Sequence, residues 1–280
     1  MAAQIITIAI EKGGAGKTVT ASNLAYLMGD EGKKVLCIDT DPQGNLTSAL
    51  SGGNGITSGV YNGRALFDMF DGFRYTKTKD YITETEYENV DMIPCSAQTP
   101  RINQRIPGIF EDAQTYFKPG NPKCLTNMGE FLYYFLNQVR EDYDYIIIDC
   151  MPSLGMMTIN ALACADSVLI PVQAAYLPVK GLQQLIKTIG RVKKQLNPKL
   201  KIEGILLTMV DNRTNYARDI SLMVYDTYSA SIKVFETEIP MSVRASEVSV
   251  EGGSIYSYDP KGKAAFAYMA LTKEVLKEAE

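Results

Sequence analysis

The chain has 280 residues, 46% hydrophobic and 21% charged, with 28 basic and 32 acidic side chains and a net charge of −4. That length suits one large domain or two small ones, and the weak negative charge leaves any nucleic-acid contact to a local basic patch. The absence of histidine excludes Ser-His-Asp and Cys-His catalysis and His-ligated metal, while Cys37, Cys95, Cys124, Cys150 and Cys164 form no C-x-x-C pair, so reduced thiols are expected.

The first element is the apolar, β-branched run IITIAI, residues 5–10. It lacks a basic flank and leads directly into glycines, so it reads as a buried strand and not as a signal peptide. No apolar stretch approaches the ~20 residues of a membrane span. Next comes EKGGAGKT, residues 11–18, which ends like the phosphate-binding pattern G-x-x-x-x-G-K-[ST] but carries Glu11 where that pattern has its first glycine. A helix is expected over 18–32, from apolar spacing and a glycine stop. A second buried strand, KVLCIDTD at 34–41, ends in Asp39 and Asp41. Further strands are expected at 90–97, within 142–155, at 165–173, at 201–211 and at 234–240. Helices are expected at 179–196, 216–229 and 262–279.

Strands alternating with helices predict an α/β fold, with a mostly parallel twisted sheet and helices on both faces. No linker or repeat divides the chain, so a single domain over 1–280 is expected. Residues 51–75 and 99–130 read as surface excursions.

Gly13, Gly14, Ala15 and Gly16 are small enough to let backbone N–H groups turn around an anion, and the helix that follows adds its positive end. Lys17 then reaches the β- and γ-phosphates, and the Thr18 hydroxyl ligates Mg²⁺. A glycine-rich turn with a chance lysine is the plain alternative, and the flanking strand and helix argue against it. Asp149 ends the apolar strand YIIID, in the position of a Walker B acid. Asp39 and Asp41, two apart on an extended chain, are expected to face one side. One acid at a strand end can be merely solvated, but three at neighbouring ends point to a shared site. Lys12 is the surplus cation of the loop. It is either an exposed loop lysine or a group that reaches phosphate bound to another subunit.

With those residues in place, KGGAGKT resembles the deviant Walker A motif of the ParA/MinD group of P-loop ATPases. VLCIDTDPQGNLTSAL, YDYIIIDCMPSLGMMTINAL, DSVLIPVQAAYLPVKGLQQL, IEGILLTMVDNRT and IPMSVRASEV resemble the motifs of ParA/Soj-type partition ATPases. The resemblance covers nearly the whole chain apart from 51–130. It implies ATP and Mg²⁺ as cofactors and a homodimer that sandwiches two nucleotides, with Lys12 crossing to its partner's nucleotide. It also implies that Asp41 orients the attacking water, that Asp39 and Asp149 support the metal, and that Pro240 lines the adenine pocket. Two departures stand out. Val19 replaces a second threonine, losing a hydroxyl contact to the α-phosphate worth ~1 kcal/mol. Met151 interrupts the usual D-x-P-P-S.

Relatives of this type bind DNA without sequence specificity, a task for clustered Lys and Arg. The candidates are Lys193, Lys194, Lys199, Lys201, Arg213, Arg218, Lys233 and Arg244, each of which alone could equally be a solvated surface charge. The phosphate loop starts about ten residues into the chain, so a short form without an N-terminal helix-turn-helix is expected. The expected partner is a ParB-like centromere-binding protein, and the expected place is the nucleoid in a bacterial cytoplasm. The chief rival, a MinD-like membrane-cycling ATPase, needs a basic amphipathic C-terminal helix. The mixed, acidic end ALTKEVLKEAE argues against it.

Overall fold

A computed structural model describes residues 2–51, 64–174, 178–211, 213–251 and 253–278. Its strands are β1 (Gln4–Ile8), β2 (Val35–Asp39), β3 (Thr83–Glu84), β4 (Val90–Ile93), β5 (Tyr145–Asp149), β6 (Ser167–Gln173) and β7 (Lys201–Thr208). Its helices are α1 (Lys17–Asp30), α2 (Asn45–Leu50), α3 (Leu66–Asp71), α4 (Ile102–Tyr116), α5 (Phe131–Asn137), α6 (Met156–Cys164), α7 (Pro178–Gln195), α8 (Asn215–Tyr228), α9 (Val243–Glu251), α10 (Ile255–Tyr258) and α11 (Lys263–Glu278). The strands form one sheet in the order β3-β4-β2-β5-β1-β6-β7. Only the β3–β4 pair is antiparallel; the others are parallel.

The central strands are largely apolar up to their polar ends because both sheet faces are covered. Ile146 and Ile148 of β5 enter one core with Leu36, Ile38, Val168 and Ile170. Tyr145 and Ile147 enter the other, with Val35, Cys37, Ile6 and Ile8. The period-2 alternation of a strand thus divides each strand between two helical layers. On the second face, α1 packs beside α11, whose Ala264, Ala265, Tyr268, Leu271 and Val275 are buried. The apolar side of this last helix therefore lies in the core, and no described helix is long and apolar enough to cross a membrane.

Three expectations are corrected. The seventh strand is the short antiparallel β3, whereas 234–240 makes only isolated bridges from Val234 to Ile205 and from Pro240 to Val210. Between those bridges the N–H groups of Glu236 and Thr237 turn to the Glu274 carboxylate, at 3.2 and 3.0 Å, so no ladder propagates. The described parts of the supposed surface excursions also enter the core. Phe70 lies edge-on to Phe135 at 5.3 Å, Phe73 contacts Phe131 at 4.9 Å, and Ile102, Ile106 and Ile109 of α4 are buried. These apolar residues join the core that holds Leu36 and Ile38 of β2 and Ile146 and Ile148 of β5. Thirdly, β2 ends at Asp39, so a turn and not strand alternation places Asp41.

Candidate nucleotide site

Parallel order puts the C-terminal ends of β1, β2 and β5 side by side, where open α/β sheets bind ligands. Ile8 and Asp39 both pair in register with Asp149. The chain leaves β1 into the glycine-rich loop and enters α1 at Lys17. Gly14 and Gly16 hold φ of 70° and 82°, left-handed conformations that a side chain would strain. At Gly13 and Gly14 an added Cβ would meet nothing within 4 Å, so the loop borders open space. A side chain from β7 anchors the loop from behind, where the Thr208 hydroxyl donates to the Ala15 carbonyl at 3.0 Å.

Lys17 is only 6% exposed. Burial holds its ammonium below the ordinary lysine value, against the opposing pull of Asp149, Cys150 and Asp41. Its Nζ donates to the Lys12 carbonyl at 3.1 Å, so the loop closes on its own cation. Lys12 Nζ in turn donates to Gln173 Oε1 at 3.0 Å. Glu11 is half-buried and its Oε2 has no hydrogen-bond partner.

The three acids have unequal surroundings. Asp39 is saturated: Oδ2 accepts from the Thr47 amide at 2.8 Å and the Thr47 hydroxyl at 2.7 Å, and Oδ1 accepts from the Asp41 amide at 3.0 Å. Burial still pushes its carboxyl up to about 6. Asp41 accepts the Gln43 amide at 3.0 Å, a side-chain-to-backbone turn that fixes its orientation. Asp149 Oδ2 accepts from the Thr18 hydroxyl at 2.6 Å, while its Oδ1 is buried without a partner. Burial, reinforced by the neighbouring Asp39, pushes the Asp149 carboxyl up to about 8. A buried carboxyl with an open oxygen beside a hydroxyl is a poor place for an isolated charge and a good one for a charge balanced by a cation. No described cluster of three or more His, Cys, Asp or Glu could hold a metal unaided. Mg²⁺ bound with nucleotide needs no such cage, because phosphates and waters supply most of its ligands. Thr18 and the open oxygen of Asp149 therefore fit Mg²⁺, with Asp39, whose oxygens are taken by Thr47 and the Asp41 amide, standing behind them.

The departures fit their surroundings. Val19 packs against the α1-side core. Met151 is 8% exposed and fills the opposite core, so it serves packing where a proline is usual. Pro240 sits half-buried beside Val210, at the same end of the sheet as the loop.

The basic candidates do not form one patch. Lys193 and Lys194 lie in the last turn of α7, and Lys199 and Lys201 stand at the entry to β7, at the end of the sheet opposite the loop. Lys233 lies beside the middle of β7, its carbonyl accepting the Ile205 amide, and its Nζ is 4.4 Å from the Phe235 ring centre. Arg213, Arg218 and Arg244 lie at the loop edge. Arg213 pairs with Asp211 at 2.8 Å and Arg244 with Asp259 at 2.7 Å. The thiols of Cys37, Cys150 and Cys164 are buried and free, and burial raises each well above its ordinary value.

Sequence reasoning missed Thr47, Thr208 and Gln173. Each is a common polar residue at a strand or helix end, and only the fold brings it against the loop or the acids.

A family model described as an AAA domain matches residues 3–202. The chain is 40% identical over 274 residues to the sporulation initiation inhibitor protein Soj of Bacillus subtilis, covering 97% of this chain and 98% of that one. It is 38% identical over 275 residues to the chromosome partitioning protein ParA of Myxococcus xanthus, covering 98% and 88%. Among solved structures, cobyrinic acid a,c-diamide synthase from Mycobacterium smegmatis, with bound ATP analog and magnesium, superposes with TM-score 0.76 at 26% identity, over 99% and 96% of the chains. A putative plasmid partition protein from Borrelia burgdorferi bound to AMPPNP shares the fold, with TM-score 0.74 at 23% identity over 99% of each chain.

Proposed function

The chain belongs to the ParA/Soj-type partition ATPases of the ParA/MinD family, and from that membership we propose that it is the dimerising ATPase of a DNA-segregation system. It uses ATP and Mg²⁺. In this reading two copies close face to face over two nucleotides. The ATP-bound dimer holds DNA without reading its sequence, and a ParB-like partner stimulates hydrolysis and release. It works in the cytoplasm, on the nucleoid.

The observation that carries the reading is the unpartnered Oδ1 of Asp149, buried at the strand end beside Thr18 and below a loop that borders open space. Backbone N–H groups of Gly13, Gly14, Ala15 and Gly16 wrap the phosphates, and Lys17 exchanges its bond to the Lys12 carbonyl for phosphate oxygen. Thr18 and Asp149 would hold Mg²⁺ most directly, with Asp39 behind them. When bound, the ion neutralises charge on the β- and γ-phosphates. Asp41 accepts a hydrogen bond from the attacking water and aims it. Lys12 crosses to the partner's nucleotide, where it stabilises the charge of the transition state, as an arginine finger does. Pro240 borders the adenine, and Val19 contributes no hydroxyl to the α-phosphate.

For DNA, Arg213, Arg218 and Arg244 lie on the nucleotide edge, where dimerisation could join two patches. Lys199 and Lys233 lie further away. Arg213 and Arg244 already spend part of their guanidinium donors on Asp211 and Asp259, so phosphate would share each of them with a carboxylate.

The test is ATP turnover with and without DNA and the ParB-like protein, for the wild type and Lys12→Ala. The reading expects stimulation by both additions and loss of turnover or dimerisation in the variant. Unchanged dimerisation and turnover in Lys12→Ala would remove the trans role.

A further inference from the structure

Lys12 is held at both ends within its own subunit. Its side chain donates to Gln173 Oε1 at 3.0 Å, and its carbonyl accepts Lys17 Nζ at 3.1 Å. Gln173 is a firm post for this bond. It is the last residue of β6, pairs in register with Thr208, and is followed by Ala174, whose amide donates to the Thr208 carbonyl at 3.1 Å. The same Thr208 grips the loop through Ala15. One strand end therefore fixes both the loop and the acceptor that restrains its surplus lysine.

We propose that Gln173 is a positioning residue that parks Lys12 in its own subunit until phosphate arrives, and so sets the threshold for ATP-dependent dimerisation. This rests on the trans role proposed for Lys12. The two bonds are coupled through one residue. Phosphate recruits Lys17 Nζ away from the Lys12 carbonyl, which frees the loop backbone at Lys12. The remaining tether is a neutral amide oxygen on an ammonium. Such a bond is strong enough to bias the side chain and weak enough to yield to the phosphates of a second nucleotide. By linkage, a contact present only in the monomer opposes the dimer by its own free energy. A carboxylate at 173 would strengthen the tether, and an apolar side chain of similar size would abolish it.

The experiment compares wild type, Gln173→Leu and Gln173→Glu, with Lys12→Ala as the reference. It reads the protein concentration for half-dimerisation with a slowly hydrolysed ATP analogue, by analytical ultracentrifugation. Fluorescent ADP affinity and the thermal midpoint are read alongside. Gln173→Leu is expected to lower the half-dimerisation concentration at least threefold, and Gln173→Glu to raise it at least threefold. ADP affinity should stay within about twofold in both, a pattern that lost folding could not produce. Two variants that dimerise like the wild type, or shift in the same direction, overturn the tether. If either variant loses ADP binding, the other decides by the same threefold criterion. If Lys12→Ala both dimerises and hydrolyses ATP like the wild type, the trans role fails. If Lys12→Ala fails to dimerise while the Gln173 variants match wild type, only the tether falls.

Discussion

Asp149→Asn makes a prediction that runs against the usual expectation for a site residue. The replacement keeps the shape and an acceptor for the Thr18 hydroxyl but removes the charge. The folded protein raises the Asp149 carboxyl from 3.8 to about 8. Below pH 4 the group is protonated both folded and unfolded, and contributes no difference. Between about 4 and 8 only the folded chain keeps the proton, so stability falls as pH rises, and above 8 the loss is constant. Four units at about 1.4 kcal/mol each set an upper bound of about 6 kcal/mol. Part of this is repulsion shared with Asp39, which brings the three units between pH 5 and pH 8 below about 4 kcal/mol. The cost of about 1–3 kcal/mol for the asparagine NH₂ in place of the partnerless Oδ1 is the same at every pH and drops out of the comparison. The stability of Asp149→Asn relative to wild type should therefore rise by about 2–3 kcal/mol between pH 5 and pH 8. Urea unfolding of the nucleotide-free, chelator-treated proteins at the two pH values measures it. Saturating Mg-ADP should shift the comparison back toward the wild type, because ligand at 100 times its Kd adds about 2.7 kcal/mol to a protein that binds it. A relative stability that stays constant or falls with rising pH would refute the reasoning.

Asp41→Ala should bind ATP normally, persist as a dimer and lose turnover at least a hundredfold, because the turn that aims its carboxylate ends in nothing; wild-type turnover would remove Asp41 from its role. Val19→Thr should tighten ATP up to about fivefold by adding one hydroxyl contact, while lowering the nucleotide-free thermal midpoint, because that hydroxyl enters an apolar contact. Phe70→Ala should cost about 3–5 kcal/mol in thermal or urea unfolding. A loss under about 1 kcal/mol would return the segment around α3 to the surface.

The sheet was legible where burial on both faces leaves an unbroken β-branched run, as in IITIAI and YIIID, and where glycine or an acid marks the strand end. The phosphate loop was legible because few chemistries require small residues, lysine and threonine at that spacing. The segment 234–240 misled because strand-like alternation does not reveal that Glu274 claims its central amides. Residues 64–75 and 99–130 misled for the opposite reason. Their aromatic and aliphatic side chains are spread among turn-forming residues, and only long-range packing shows Phe70 and Phe73 meeting α5. The roles around the acids were unreadable for a similar reason. Thr47, Thr208 and Gln173 gain meaning only when distant strand ends meet. The basic candidates were individually visible, but the topology that sends Lys199 and Arg213 to opposite ends of β7 was not.

The most direct measurement is DNA co-sedimentation combined with dimer mass, in ATP, in ADP and without nucleotide, at low and moderate salt. The account predicts a dimer that binds DNA in ATP alone, with affinity falling steeply as salt rises. Equal, salt-insensitive affinity in all three conditions would contradict it.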